Sequence, residues 1–146
     1  MPTSRRFIPA PAERVYAALV DAPSYPKWLV GAKAVLKVDP TWPTPGSGFR
    51  HEVGGGPLRT RDRTTVRSLD PGRALGLRVR ARPFLEADVH FEVTPTGAET
   101  AELTMNEQPR GPFRMLTGLV GPLLKARNDR SLDRFADVVG TAFDDR

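Results

Sequence analysis

Apolar residues recur along this chain with two different periods, and the change of period divides it. From Ala32 to Pro109 they alternate every second residue, the pattern of strands with one buried face. From Gly111 to Phe143 they fall three and four apart, the pattern of a long helix. Residues 3–9 read as a first strand. Two short helical patterns follow, Ala12 to Val20 and Ser24 to Leu29, separated by Asp21-Ala-Pro23. Ala34 to Asp39 reads as the next strand, and the proline-rich stretch from Pro40 to Gly48 as a loop. The segments Phe49–Val53, Leu58–Leu69, Arg73–Arg82, Leu85–Thr94 and Ala98–Gln108 then form a meander, with turns at GGGP, DPG, Pro83 and PTG.

The alternation sorts the meander into two faces. Phe49, His51, Thr60, Asp62, Thr64, Leu77, Val79, Val89, Phe91, Met105 and Glu107 share one face with other apolar residues. Most of the arginines and their acidic neighbours share the other. Pairing Arg82 with Glu86, and Val53 with Leu58, sets opposite charges side by side, so the arginine-rich face reads first as a solvated outer face. The apolar face needs a cover, and the C-terminal helix alone is long enough to provide it. The expected fold is α+β: a curved antiparallel sheet of about six or seven strands around one long helix, with two short helices after the first strand. Residues 1–146 are expected to form a single domain.

Within the final helix, Pro112 suits a first helical position. Leu116, Val120 and Leu123 begin an apolar stripe that Leu132, Phe135, Val138, Val139 and Ala142 continue. Gly118, Gly121 and Pro122 predict a kink or break. Asn128 and Ser131 project between Leu124 and Phe135, where a dry core would take aliphatics. They either hydrogen-bond backbone within the core or line a partly polar cavity.

Composition narrows the chemistry. The 146 residues carry a formal charge of +5, from 22 basic and 17 acidic side chains, spread without a long basic run. Specific nucleic-acid binding is therefore not expected. The absence of cysteine excludes disulfides, thiol nucleophiles and cysteine metal sites. The two histidines, His51 and His90, fall on opposite sheet faces, so no metal site is expected, nor any cofactor. There is no phosphate-cradling G-x-x-x-x-G-K-[ST] and no G-x-S-x-G elbow. No segment is long and apolar enough to span a bilayer, and the start lacks a signal-peptide pattern, so a cytoplasmic monomer or homodimer is expected.

Local sequence carries a family resemblance along essentially the whole chain. "FIPAPAERVYAALVDAPSYPKWL" resembles the opening of the START-like, helix-grip superfamily that includes polyketide cyclases, dehydrases and lipid-transport proteins. "GSGFRHEV" resembles its third-strand start, and "GLVGPLLKARNDRSLDRFADVV" its final helix. The resemblance implies a cavity between sheet and helix that holds a small hydrophobic or aromatic molecule: a lipid, polyketide or isoprenoid. The expected lining is Trp28, Trp42, Phe49, His51, Thr60, Asp62, Leu77, Val79, Val89, Phe91, Met105, Leu116, Val120, Leu124, Asn128 and Ser131. An alternative is a cyclase or dehydratase with His51 and Asp62 as acid/base groups. A second is an interaction module using the arginine-rich face. The Trp42 loop and the helix piece bearing Phe113, Met115, Leu116, Leu119 and Val120 are expected to frame the mouth.

Overall fold

The computed structural model describes residues 3–30, 32–55, 58–81, 85–110 and 117–144; within these spans the side chains of 53–55, 58–60, 81, 85, 117–121 and 141–144 lie outside the description. Seven strands form one antiparallel sheet: β1 (Thr3–Ile8), β2 (Ala32–Val38), β3 (Gly48–Gly55), β4 (Leu58–Asp70), β5 (Ala74–Ala81), β6 (Leu85–Gly97) and β7 (Thr100–Pro109). Their spatial order is β1-β7-β6-β5-β4-β3-β2. The first strand thus closes against the last, and the meander runs back to β2 at the other edge. Helices α1 (Ala12–Leu19) and α2 (Tyr25–Trp28) fill the connection from β1 to β2, joined by a 3-10 turn at Ala22–Ser24. Helix α3 (Thr117–Asp144) covers the apolar face.

Face parity follows the alternation. Phe49, His51, Thr64, Val66, Leu75, Leu77, Ala87, Val89, Phe91, Val93, Ala101, Leu103, Met105 and Glu107 are all buried. The registers differ from those expected, by two residues in each of two hairpins. Gly55 pairs with Leu58, so Glu52 faces Arg61 rather than Arg59. Ala81 pairs with Leu85, so Arg80 faces Glu86 and Arg78 faces Asp88. A shift of two leaves every side chain on its own face, so the faces stood while the partners changed.

The β6–β7 turn also moves. The PTG stretch was expected to turn, but β6 continues to Gly97, which pairs with Thr100 across a register shift at Pro95/Gly97. The last β5–β6 pair is Ala74 with Glu92, so Pro95 lies beyond the reach of β5 and its missing N–H costs that side of the ladder nothing. Helix α3 departs from expectation too. It runs through Pro122 without the break that was one of the two outcomes expected there. Pro122 is the sixth helical residue, and it forfeits only the one bond its N–H would have made to Gly118. Leu123, placed in the apolar stripe by spacing, is 71% exposed. The buried stripe runs instead through Asn128, Ser131, Leu132, Phe135, Ala136 and Val139, one position round the helix. Pro112, Phe113, Met115 and Leu116 lie outside the described residues, as do the side chains of Leu119 and Val120.

An aromatic cluster joins the layers. The fully buried Trp28 indole meets Phe135 of α3 at 4.9 Å, Tyr25 at 5.1 Å and Phe91 of β6 at 5.9 Å between ring centroids, all edge-on. Edge-on pairs favour the ring quadrupoles and add about 0.5–1.5 kcal/mol each beyond area burial. The buried polar tips are satisfied: Tyr25 Oη donates to the Leu19 carbonyl at 2.7 Å, and Trp28 Nε1 to Ser24 Oγ at 3.2 Å.

Gly48 is a close-approach position, because a Cβ there would overlap the Thr64 carbonyl across the β3–β4 ladder. Gly140 on α3 faces open space. Gly48→Ala is therefore expected to lose about 1–3 kcal/mol, and Gly140→Ala to gain about 0.5–1 kcal/mol, in urea unfolding. A neutral Gly48→Ala would refute the tight β3–β4 approach.

Candidate functional site

The inner polar residues separate into groups that the fold satisfies and two, His51 on β3 and Ser4 on β1, whose polar atoms it leaves without a hydrogen-bond partner among the described residues. Glu107, at inward parity on β7, is 1% exposed. Its carboxylate accepts from Arg127 Nη2 at 2.6 and 2.8 Å and from Asn128 Nδ2 at 2.8 Å. Glu107 lies near the end of β7, where a carboxylate on an isolated strand could reach solvent. In the fold, α3 crosses that end and brings its cation and amide to the carboxylate. The available signal was parity with Leu103 and Met105. The partner Arg127 had no such signal, because helical spacing places it beside the stripe and not on it. Ser131 Oγ accepts from the Val30 N–H at 3.0 Å and ties α3 to the segment after α2. Ser131 thus takes the expected bond to backbone, whereas Asn128 bonds a carboxylate, a partner neither expectation named.

His51 is different. Its ring is 3% exposed, and neither Nδ1 nor Nε2 has a hydrogen-bond partner among the described residues. Asp62 lies directly opposite on β4, in a ladder that runs from Gly48–Thr65 to Gly55–Leu58 without a register shift. No bulge therefore rotates Asp62 off the inner face. Its Oδ1 accepts from the Arg63 N–H at 2.8 Å, and no hydrogen bond joins it to the imidazole. Burial holds the His51 pKa below its ordinary 6.5; the Asp62 charge and, more weakly, the nearby Arg63 backbone, too poorly placed for a well-formed hydrogen bond, oppose that shift.

One aromatic ring packs against this histidine, and two more back that ring. Phe49 meets the His51 ring at 5.7 Å and 63°, and meets Trp42 at 5.2 Å and Tyr25 at 5.4 Å. Trp42 is half-buried and donates from Nε1 to the Val20 carbonyl at 2.7 Å, which fastens the proline-rich loop to the end of α1. The base of that loop is closed by Asp39. Its carboxylate accepts from the Gly48 N–H at 2.9 Å and pairs with Arg63, whose guanidinium holds the Asp39 pKa below 3.8.

The other expected lining residues divide by burial. Trp28, Leu77, Val89, Phe91 and Met105 are core residues, Val79 and Leu124 are half-buried, and Thr60 and Val120 have side chains outside the description. On the outer face, Arg61 pairs with Glu52, Arg78 with Asp88 and Arg80 with Glu86, at 3.5, 2.8 and 3.4 Å. Arg110 adds a second cation to Asp88 at 3.1 Å. This is the neutralised, solvated face expected of interleaved charges. Among the described residues no cluster of His, Asp and Glu could hold a metal ion, and no helix is long and apolar enough to cross a membrane.

Residues 3–140 match the family model described as polyketide cyclase / dehydrase and lipid transport. No curated protein matches the sequence. Solved structures share the fold at low identity. A conserved protein from Geobacillus kaustophilus has TM-score 0.73 and 16% identity, covering 96% of this chain and 95% of its own. The Zhui aromatase/cyclase from Streptomyces sp. R1128 has TM-score 0.71 and 15% identity, covering 94% and 92%. A START superfamily protein from Mycobacterium smegmatis has TM-score 0.63 and 16% identity, covering 95% and 94%. The expected helix-grip architecture and superfamily hold.

Two measurements follow from this geometry. Arg127→Met strands the Glu107 carboxylate beside a single amide. It is expected to cost about 2 kcal/mol, less than a fully buried pair because the arginine is one-third exposed. Adding Glu107→Gln should recover part of that loss; a double variant no more stable than Arg127→Met would mean that the carboxylate was not the stranded group. The second concerns pH. The folded chain resists protonating His51 where the unfolded chain accepts the proton, so stability should fall as pH drops below about 6.5. His51→Gln should flatten the melting temperature between pH 7 and pH 5. Asp39 and Asp88, both lowered by arginine partners, contribute stability that is lost only as pH falls below about 3.8, a separate window.

Proposed function

We propose, from the premise that the chain belongs to the polyketide cyclase / dehydrase and lipid-transport family, that it binds a small hydrophobic or aromatic molecule between the sheet and α3. The observation that carries this reading is His51, a buried polar ring without a hydrogen-bond partner among the described residues, packed against the ring of Phe49. Buried polar groups are nearly always paired, and an apolar chamber with a few unsatisfied polar groups is how small-molecule sites are built. Glu107 and Ser131 are spent on holding α3, so they act on the ligand indirectly, by fixing the helix that covers it. Trp42 and the first turns of α3 border the mouth in this reading.

A second reading, acid–base catalysis of the cyclase or dehydratase type, has one specific observation in its favour: His51 and Asp62 are cross-strand partners on the inner face. A neutral imidazole can take a proton from carbon or oxygen, and a neighbouring carboxylate stabilises the resulting imidazolium. The pair would have to be bridged by the bound substrate or by water, since the two side chains are not in direct contact through a hydrogen bond.

Thermal denaturation against a panel of apolar and aromatic compounds tests the binding reading. A ligand at a hundred times its Kd adds about 2.7 kcal/mol, a shift of about 5–10 °C for a chain of this size. Flat melting curves across the panel, together with no ligand retained through purification by native mass spectrometry, would refute it. For the second reading, His51→Gln that leaves turnover of a retained polyketide unchanged would exclude acid–base work by this residue.

A further inference from the structure

The bonding state of the inner polar residues says what kind of molecule the cavity would take. Glu107 is held by Arg127 and Asn128, Ser131 by Val30, and Asp62 accepts from Arg63. Ser4 Oγ on β1 is also buried and unpartnered, but the His51 ring leaves two such atoms, Nδ1 and Nε2, among the described residues. A neutral imidazole presents one N–H donor and one nitrogen acceptor. The group that satisfies it best must therefore be able both to accept and to donate, depending on tautomer. A hydroxyl or an enol does this. A carboxylate only accepts.

Charge leads to the same choice. Arg127, a cation that reaches the inner face, is already committed to Glu107, its Nη2 donating to both carboxylate oxygens. The Asp62 carboxylate stands across the strand pair from His51. An anionic headgroup beside His51 would lie next to a like charge in a half-buried setting, without an uncommitted counter-ion among the described residues. The surroundings of the ring are planar and apolar. Phe49 lies against it, with Trp42 and Tyr25 behind Phe49.

We propose that His51 anchors the ligand's polar group, and that this group is a neutral hydroxyl or enol on an aromatic frame rather than a carboxylate or phosphate. The inference rests on the binding reading above and narrows it. It makes His51 a specificity-determining residue: the ring discriminates among molecules of equal size and apolarity by what they can donate and accept. A site whose polar group is left unpaired by the wrong ligand rejects that ligand more strongly than a dry pocket can.

Three probes of one carbon frame separate the possibilities: naphthalene, 2-naphthol and 2-naphthoate, titrated at pH 7 by tryptophan fluorescence and calorimetry. The expected order is 2-naphthol tightest, naphthalene about tenfold weaker, and 2-naphthoate weaker still. His51→Phe should keep naphthalene binding and erase the tenfold preference for 2-naphthol. His51→Gln, which retains a donor and an acceptor, should keep part of that preference and shows that loss in the phenylalanine variant is not misfolding. If all three bind equally, or if His51→Phe retains the preference because bound water already satisfies the ring, the anchor is refuted while apolar binding stands. Tighter binding of 2-naphthoate than of 2-naphthol would refute the charge argument. If none of the three binds, and no larger aromatic of the thermal panel does, the binding reading falls and this inference with it.

Discussion

A seven-stranded sheet with one apolar face must bury that face, and here one helix does most of the covering. The rest of the structure is arranged around that requirement. Leu132, Phe135 and Val139 bring the aliphatic and aromatic surface of α3 down onto the sheet, and Trp28 fills the corner where α2, α3 and β6 converge. Because Trp28 touches elements that are far apart in sequence, it converts three separate segments into one core. Its indole N–H is satisfied inside the 3-10 turn that precedes α2, so the cost of burying that polar atom is met locally.

Packing alone would allow α3 to slide along its own axis. Polar contacts remove that freedom. The Glu107 carboxylate binds two consecutive residues of α3, Arg127 and Asn128, and Ser131 one turn later takes the N–H of Val30. Such contacts specify position through direction and distance, which apolar surface does not. The result is a helix fixed at its middle by hydrogen bonds and along its C-terminal half by apolar packing. The polar residues of the stripe that were candidates for ligand contact thus position the cover. This leaves His51 on β3 and Ser4 on β1 as the inner polar residues whose buried atoms find no hydrogen-bond partner among the described residues.

The outer face obeys a different rule. Its arginines face carboxylates across neighbouring strands, and exposed pairs of this kind each contribute little, about 0–1 kcal/mol. They neutralise one another across the outer face of the interior strands β3 to β6.

The sequence by itself determined the period of each segment, and therefore the element types, the two sheet faces and the need for a helical cover. These are local quantities: a side chain's face depends only on its parity along the strand, so the assignment survived two hairpins whose registers differ by two residues. It also placed His51 and Asp62 on one face of neighbouring strands. Tertiary structure decided the rest. Turn geometry chose the strand register. The rotation of α3 about its axis exposed Leu123 and buried Ala136, as the helix packs on β1 and on α2 with its Trp28. The joining of Glu107 to Arg127 depended on where α3 crosses the end of β7, which no spacing encodes. The orphaned state of His51 was equally hidden, since a missing partner is a property of everything packed around the ring.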